Sequence, residues 1–179
     1  GQGNGKARID SRVSVRMEPT SVKIMAVVIT ASDSRHPDND VSGTTLVGLL
    51  IAMGAEVKDR LIVADDVSIL EDVIRSSADR TDVNLVLTTG GTGFSPRDNT
   101  PEATLAVIER QAPGIAEAIR SKSALKTPSA MLSRGVAGIR SGTLIVNFPG
   151  SPNGVVESFE VIRPVLQHAI DLIAGKTSH

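Results

Sequence analysis

Hydrophobic and polar positions show sustained patterning from about residue 22, where short apolar runs alternate with stripes at helical spacing. Runs over residues 22–30, 57–63 and 83–88 are rich in Val, Ile and Leu, which is typical of strands buried on both faces. Stripes follow the first two runs and predict helices over 44–53 and 67–78. Strand–helix alternation with right-handed crossovers predicts the α/β class, with a three-layer, doubly wound, mostly parallel sheet in a single domain.

The second half of the chain departs from this alternation. Apolar spacing predicts four more helices, over residues 101–110, 115–122, 129–133 and 155–174. Pro113-Gly114 is expected to separate the first two, and Pro164 is expected to kink or split the last one. Two short apolar runs, at 136–140 and 143–147, are joined by Ser141-Gly142. This spacing predicts a short antiparallel hairpin within the otherwise parallel sheet.

Composition narrows the classes of function. A net charge of −1 and 2% aromatic residues, with no Trp or Tyr, argue against nucleic acid or an anionic membrane as partner. The absence of cysteine excludes disulfides, thiolate metal ligands and cysteine nucleophiles. No apolar run reaches the roughly 20 residues that span a bilayer. Residues 1–20 lack a signal-peptide core and any sustained period, so we expect a flexible tail before a domain at 21–175, and a cytoplasmic location.

The stretch from Leu85 to Glu102 is the strongest candidate for function. A buried strand leads into Gly90-Gly91-Thr92-Gly93, where small residues let the backbone approach another group closely. Arg97-Asp98 follows in the loop, Thr100 can cap the next helix, and Pro101 suits its first turn. A strand, a glycine loop and a helix N-terminus in this order are typical of phosphate sites in open α/β sheets. The run matches neither a Walker A loop nor G-x-G-x-x-G, so alone it predicts an anion site or a tight turn with positive φ.

Further polar loops are expected at the same edge of the sheet, over residues 31–43, 64–66 and 148–154. Asp65 and Asp98 each fit either a functional acid or a helix cap, and Asp98 also fits a surface ion pair with Arg97. Ser151 fits an N-cap or a phosphate ligand. The three histidines lack metal-ligand spacing, and no Ser/His/Asp arrangement is readable.

Three motifs together resemble the MogA/MoaB proteins of molybdenum cofactor biosynthesis and the G domains of gephyrin. They are Thr88-Thr89-Gly90-Gly91-Thr92-Gly93, Arg97-Asp98-x-Thr100-Pro101-Glu102-Ala103-Thr104 and Asn147-Phe148-Pro149-Gly150-Ser151-Pro152. Ser32-Asp33-Ser34, Asp40-x-Ser42-Gly43 and Val63-Ala64-Asp65-Asp66 support the match, which covers about residues 22–173 in order. Ala64 departs from the pattern, since many relatives carry proline there.

The resemblance implies an adenylyltransferase that joins molybdopterin to ATP with Mg²⁺ and releases pyrophosphate, as a homotrimer that serves a downstream molybdenum-insertion protein. It places the two critical acids on Asp65 and Asp98, and Asp65 is a weaker candidate for holding Mg²⁺. The substrate-binding residues are expected to be Ser32, Asp33, Asp40, Ser42, Gly43, Gly90, Gly91, Thr92, Gly93, Arg97, Thr100, Pro149, Gly150, Ser151 and Asn153. The alternatives are a MoaB-type molybdopterin-binding protein or scaffold without turnover, and a related domain of the CinA type.

Overall fold

The computed structural model describes residues 21–176, and the predicted tail at 1–20 lies outside this range. The strands are β1 (Met25–Ala31), β2 (Glu56–Val63), β3 (Leu85–Thr89), β4 (Arg110–Gln111), β5 (Ala137–Arg140) and β6 (Thr143–Phe148). The helices are α1 (Val41–Ala52), α2 (Val67–Ala78), α3 (Thr100–Val107), α4 (Pro113–Lys126) and α5 (Pro152–Ile173), with a 3₁₀ helix at Pro128–Leu132. Within residues 21–176, no helix is long and apolar enough to cross a membrane.

The strands form one mixed sheet in the order β2-β1-β3-β6-β5-β4. β1 pairs in parallel with β2 and β3, and β3 pairs in parallel with β6. β5 runs antiparallel to β6, which confirms the predicted hairpin. β4 pairs antiparallel with β5. It was not predicted, because Arg110 and Gln111 are both exposed and have no apolar pattern. The order places the carboxyl ends of β1, β3 and β6 side by side.

Alternate side chains of the central strands pack into two separate hydrophobic clusters, which confirms the three layers. Val28 and Leu87 pack with α1, α4 and α5 on one face of the sheet. Ile29 and Val86 pack with α2 and α3 on the other. The central strands are therefore covered on both faces, as their continuous apolar runs predict.

Local chemistry moves several helix ends away from the predicted positions. α1 begins three residues early because the Asp40 carboxylate accepts the Gly43 N–H, at 3.1 Å, and caps the helix. Pro113 does not break the helix pattern but starts α4, since proline fits the first turn. α5 begins at Pro152 behind the Ser151 cap and continues through Pro164, so the expected split of this helix is wrong.

Candidate functional site

The loops after β1, β3 and β6 meet at the carboxyl edge of the sheet, and glycine permits the approach. Gly90 and Gly91 have φ of +93° and +68°. A Cβ on Gly90 would lie 2.6 Å from the Ala31 carbonyl oxygen, and one on Gly150 would lie 3.3 Å from the Gly90 Cα. The interpretation as a turn with positive φ is therefore confirmed, and the run also brings three backbones together. The anion site stays a prediction.

Side-chain hydroxyls and one guanidinium fasten these loops to each other. The Thr89 hydroxyl donates to the Pro149 carbonyl at 2.7 Å, and the Ser42 hydroxyl donates to the Gly150 carbonyl at 2.6 Å. Arg35 also donates to the Gly150 carbonyl, at 3.2 Å. These bonds join the end of β3, the first turn of α1 and the loop after β1 to the loop after β6, so the carboxyl edge of the sheet carries one continuous rim.

Thr100 belongs to the same rim and does not cap α3. The residue before the helix is Asn99, and the Thr100 hydroxyl donates instead to the Gly90 carbonyl at 2.9 Å. A Cβ on Gly91 would meet that hydroxyl at 2.4 Å. Thr100 therefore shapes the glycine loop from beneath, and the predicted capping role is wrong.

A cleft of about 660 Å³ opens between this rim and the helices α4 and α5. Eight of the sequence-predicted site residues line it: Gly91, Thr92, Gly93, Asp98, Pro149, Gly150, Ser151 and Asn153. The other predicted residues lie outside its lining: Ser32, Asp33, Asp40, Ser42, Gly43, Asp65, Gly90, Arg97 and Thr100. Its size is that of an ordinary small-molecule site.

Sequence reasoning missed the helical wall of the cleft. This wall carries polar side chains from α4, from the 3₁₀ helix and the residue after it, and from α5: Arg120, Ser123, Ser129, Ser133, Glu157 and Ser158. Ser123 and Ser158 are only 6% and 1% exposed, and within residues 21–176 their hydroxyl oxygens have no hydrogen-bond partner. The one available signal was spacing, since Arg120 and Ser123 fall on the same face of a helix.

A second cluster lies outside the cleft lining, next to the glycine loop, and contains Asp33, Asp65 and Arg97. Arg97 binds the Asp33 carboxylate through two hydrogen bonds, Nε to Oδ2 at 2.6 Å and Nη2 to Oδ1 at 2.9 Å. The Asp65 N–H donates to the same Asp33 Oδ1 at 3.0 Å. Arg97 therefore pairs with an acid from another loop and not with its neighbour Asp98.

Asp65 is not a helix cap. Asp66 caps α2 by accepting the Ile69 N–H at 3.0 Å. Burial, with the nearby carboxylates of Asp33 and Asp98, raises the pKa of Asp65. Among the described residues nothing donates a hydrogen bond to Asp65 Oδ1, although this atom is buried. An acid with a raised pKa and an unused oxygen is a recognised mark of functional sites.

Asp98 is held by its own loop, which Arg134 braces. Asp98 Oδ2 accepts the Ser95 N–H at 3.0 Å. Arg134 donates to the Gly93 carbonyl at 2.8 Å and to the Asp98 carbonyl at 2.6 Å, and forms an ion pair with Glu102. Arg134 therefore joins both ends of the loop that carries Asp98. Its partners are mainly backbone carbonyls, which leave no trace in the sequence, so sequence reasoning missed it.

Asp40 and Gly43 lie beneath the rim. Asp40 is 1% exposed, and its Oδ2 accepts the Thr30 hydroxyl at 2.7 Å and an Arg60 N–H at 3.0 Å. Burial would raise the pKa of Asp40, but the hydrogen bonds from Thr30, Gly43 and Arg60 outweigh it and lower the pKa. A Cβ on Gly43 would lie 2.1 Å from the Asp40 carboxylate. Both residues thus support the loop after β1 from inside the protein.

The fold and site define an α/β protein with a ligand cleft at the carboxyl edge of its sheet. The chain belongs to the family described as "Probable molybdopterin binding domain", whose model matches residues 27–168. It is 40% identical over 156 residues to the molybdenum cofactor synthesis protein cinnamon of Drosophila melanogaster, covering 84% of this chain and 26% of that protein. It is 43% identical over 114 residues to a molybdopterin adenylyltransferase of Helicobacter pylori strain J99, covering 64% of this chain and 65% of that protein. The chain thus spans less than two thirds of either relative.

A solved structure shows the same fold over nearly its whole length. The molybdopterin biosynthesis enzyme MoaB of Thermus thermophilus superposes with a TM-score of 0.79 at 43% identity, covering 86% of this chain and 98% of that one. The resemblance noticed in the sequence motifs is confirmed at the level of family and fold.

Proposed function

We propose that this protein adenylylates molybdopterin, using ATP and Mg²⁺. A terminal phosphate oxygen of molybdopterin attacks the α-phosphorus of ATP, the bond from that phosphorus to the bridging oxygen breaks, and pyrophosphate leaves. The observation that carries the proposal is the position of Asp98, which lines the cleft while its charge acts on Asp65 across the glycine loop. The name of the Helicobacter pylori relative supports the same reaction, and the name of the Drosophila relative supports a role in molybdenum cofactor synthesis.

The cleft suits the pterin end of the substrate. Pterin rings carry several hydrogen-bonding atoms, and Ser123 and Ser158 hold hydroxyls that are not used elsewhere within residues 21–176. The Ser151 side chain and the first turn of α5 lie at the same cleft, where a helix N-terminus favours a phosphate group. We assign Thr92, Gly93, Ser151 and Asn153 to substrate contact. The predicted residues Ser42, Asp40, Gly43, Gly90 and Thr100 are assigned to shaping the rim.

Asp65 and Asp98 fit a site for Mg²⁺ that is completed by substrate. Within residues 21–176, no three acidic or histidine side chains are grouped to hold a metal ion by themselves. Mg²⁺ commonly uses one or two carboxylates together with phosphate oxygens, and the unpaired Oδ1 of Asp65 is the donor this requires. When bound, Mg²⁺ would neutralise charge on the phosphates. The protein's own contribution is then positioning and electrostatic stabilisation.

A binding-only role is the second candidate, and one observation favours it. Asp65 Oδ1 is enclosed against Gly91, where an added Cβ would stand 3.1 Å away, so it contacts substrate only after the loop shifts. A protein in which that shift never occurs would bind molybdopterin without turnover. The homotrimer and the downstream partner stay predictions that rest on the resemblance, and the cytoplasmic location stays a prediction from the sequence pattern.

Pyrophosphate release from ATP on adding molybdopterin separates the two candidates. Asp98→Ala is expected to lower release at least about 100-fold, since the loss of one group that stabilises charge at the reacting atoms costs about this much. Asp66→Asn is the matched control: it removes a neighbouring charge, keeps a capping oxygen for α2, and is expected to leave the rate near wild type. If wild-type protein binds molybdopterin but releases no pyrophosphate, the enzyme assignment fails and the binding-only role stands.

A further inference from the structure

The ion pair between Arg97 and Asp33 links the loops that follow β1 and β3, and both residues lie outside the cleft lining. Arg97 lies between β3 and α3, Asp33 lies after β1, and the two hydrogen bonds are 2.6 and 2.9 Å long. The side chains are 65% and 43% exposed, so solvent and ligands reach both. The planar guanidinium fork matches the oxygens of a carboxylate and of a phosphate equally well.

The Asp33 carboxylate lies where two kinds of hydrogen-bond donor can bind an anion. Its Oδ1 accepts the Arg97 guanidinium from one side and the Asp65 backbone N–H, at 3.0 Å, from the other. An arginine fork together with a backbone N–H is the donor set that proteins use for phosphate groups. The carboxylate therefore takes the place that a phosphate group would otherwise fill.

We infer that the Asp33 carboxylate fills a polyphosphate-binding position in the ligand-free protein, and that the phosphates of a nucleoside triphosphate displace it from Arg97. The inference rests on the proposed function for the identity of the nucleotide. The exchange needs no movement of the sheet, because a rotamer change takes the half-exposed Asp33 side chain into solvent. Asp65 and Asp98 oppose a polyanion here, so the phosphates are expected to arrive with Mg²⁺.

Magnesium pyrophosphate binding, followed by calorimetry, tests the exchange without requiring catalysis. Asp33→Asn keeps an oxygen for the Asp65 N–H but cannot form the charged pair with Arg97. We expect it to tighten pyrophosphate binding about two- to five-fold, the range set by a single exposed ion pair. Arg97→Gln is expected to weaken binding. Asp38→Asn, a charge removal at a 96% exposed side chain of the same loop, is expected to change binding much less.

The double variant decides the mechanism. In an Arg97→Gln background, Asp33→Asn is expected to have no effect, because the internal competitor acts only through Arg97. Tightening that persists in this background means a general field effect and overturns the inference. Weaker binding by Asp33→Asn alone also overturns it, since Asp33 would then contact ligand or metal directly. Wild-type protein that binds no pyrophosphate overturns it as well.

The outcome is separate from that of the proposed reaction. If Asp33→Asn tightens pyrophosphate binding only when Arg97 is present, but molybdopterin yields no adenylyl product, then the displacement of Asp33 is supported and the proposed reaction is contradicted. If adenylylation proceeds and Asp33→Asn leaves pyrophosphate binding unchanged, the reaction is supported and the displacement is contradicted.

Discussion

Two glycines, one in the rim and one in the hairpin turn, show two different structural requirements for glycine. Gly90 has φ of +93°, and a Cβ there would stand 2.6 Å from a backbone oxygen of the neighbouring loop. Gly142, in the hairpin turn, has φ of +76°, and within residues 21–176 no atom outside it and its two chain neighbours lies within 4 Å of its added Cβ. Comparing the two positions separates the cost of a left-handed backbone conformation from the cost of a close contact.

Alanine at each glycine is therefore expected to destabilise the protein unequally. Gly142→Ala should cost about 1–2 kcal/mol, the cost of a left-handed conformation for a residue with a Cβ. Gly90→Ala should cost a further ~1–3 kcal/mol, because a fixed carbonyl must move. Urea unfolding of both variants measures the difference. Equal losses would mean that the loop after β1 moves away from Gly90 at no cost, which contradicts a close approach that depends on glycine.

Single residues also show where sequence reasoning stops. The motifs contain eight residues that line the cleft, but they do not show that the sequence neighbours Arg97 and Asp98 have separate partners. Arg97 pairs with an acid 64 residues earlier, and Asp98 accepts a backbone N–H from its own loop. Side-chain partners depend on where loops cross in space, and a loop motif does not record that crossing.

At the scale of elements, Asp40 joins the start of α1 to two strands. It accepts hydrogen bonds from Gly43 in the helix, Thr30 in β1 and Arg60 in β2. The sequence placed Asp40 near a helix entry, but it did not predict its burial, because the bonds to β1 and β2 become visible only in the folded sheet. The start of α1 was predicted three residues too late for the same reason, because the sequence did not identify Asp40 as the cap.

Asp40→Asn is expected to lower the free energy of unfolding at pH 7 by about 1–3 kcal/mol, since charge-assisted hydrogen bonds are lost. The pKa of Asp40 is lower in the folded state, so its stabilisation is complete above the unfolded pKa and disappears as pH falls through the folded value. The gap between wild type and variant should therefore narrow below about pH 4. Urea midpoints at pH 7 and pH 3 measure this. A gap that stays constant would show that Asp40 does not carry the acid dependence.

Among the elements, those with apolar patterns were predicted and those defined by pairing or capping were not. Strands buried on both faces carry continuous Val, Ile and Leu, so β1 and β3 were readable from the chain. β4 consists of two exposed polar residues and exists only because β5 offers an edge. Pro113 was read as a break, but the same fixed φ that disrupts a helix interior suits its first turn.

At the scale of the whole molecule, the strand order explains why distant motifs meet. β3 lies between β1 and β6, so loops that follow strands more than a hundred residues apart in sequence share one edge. The α/β class predicts that ligands bind beyond the carboxyl ends of the strands. The class does not predict which helices line the cleft. That α4 and α5 line it is known only from how they pack in the folded protein.

This wall leads to a trade-off between stability and binding. A buried hydroxyl without a hydrogen-bond partner destabilises a folded protein by ~1–3 kcal/mol, and within residues 21–176 the cleft contains two, on Ser123 and Ser158. Ser158→Ala is therefore expected to raise the free energy of unfolding of the ligand-free protein by about 1 kcal/mol. It should weaken molybdopterin binding about five-fold, the equivalent of one lost hydrogen bond.

Ser76→Ala, an exposed serine on α2, is the control and is expected to change neither quantity appreciably. Chemical unfolding and equilibrium titration measure the two effects. A Ser158→Ala protein that is less stable than wild type, or that binds molybdopterin equally well, would show that this hydroxyl is not kept for the ligand.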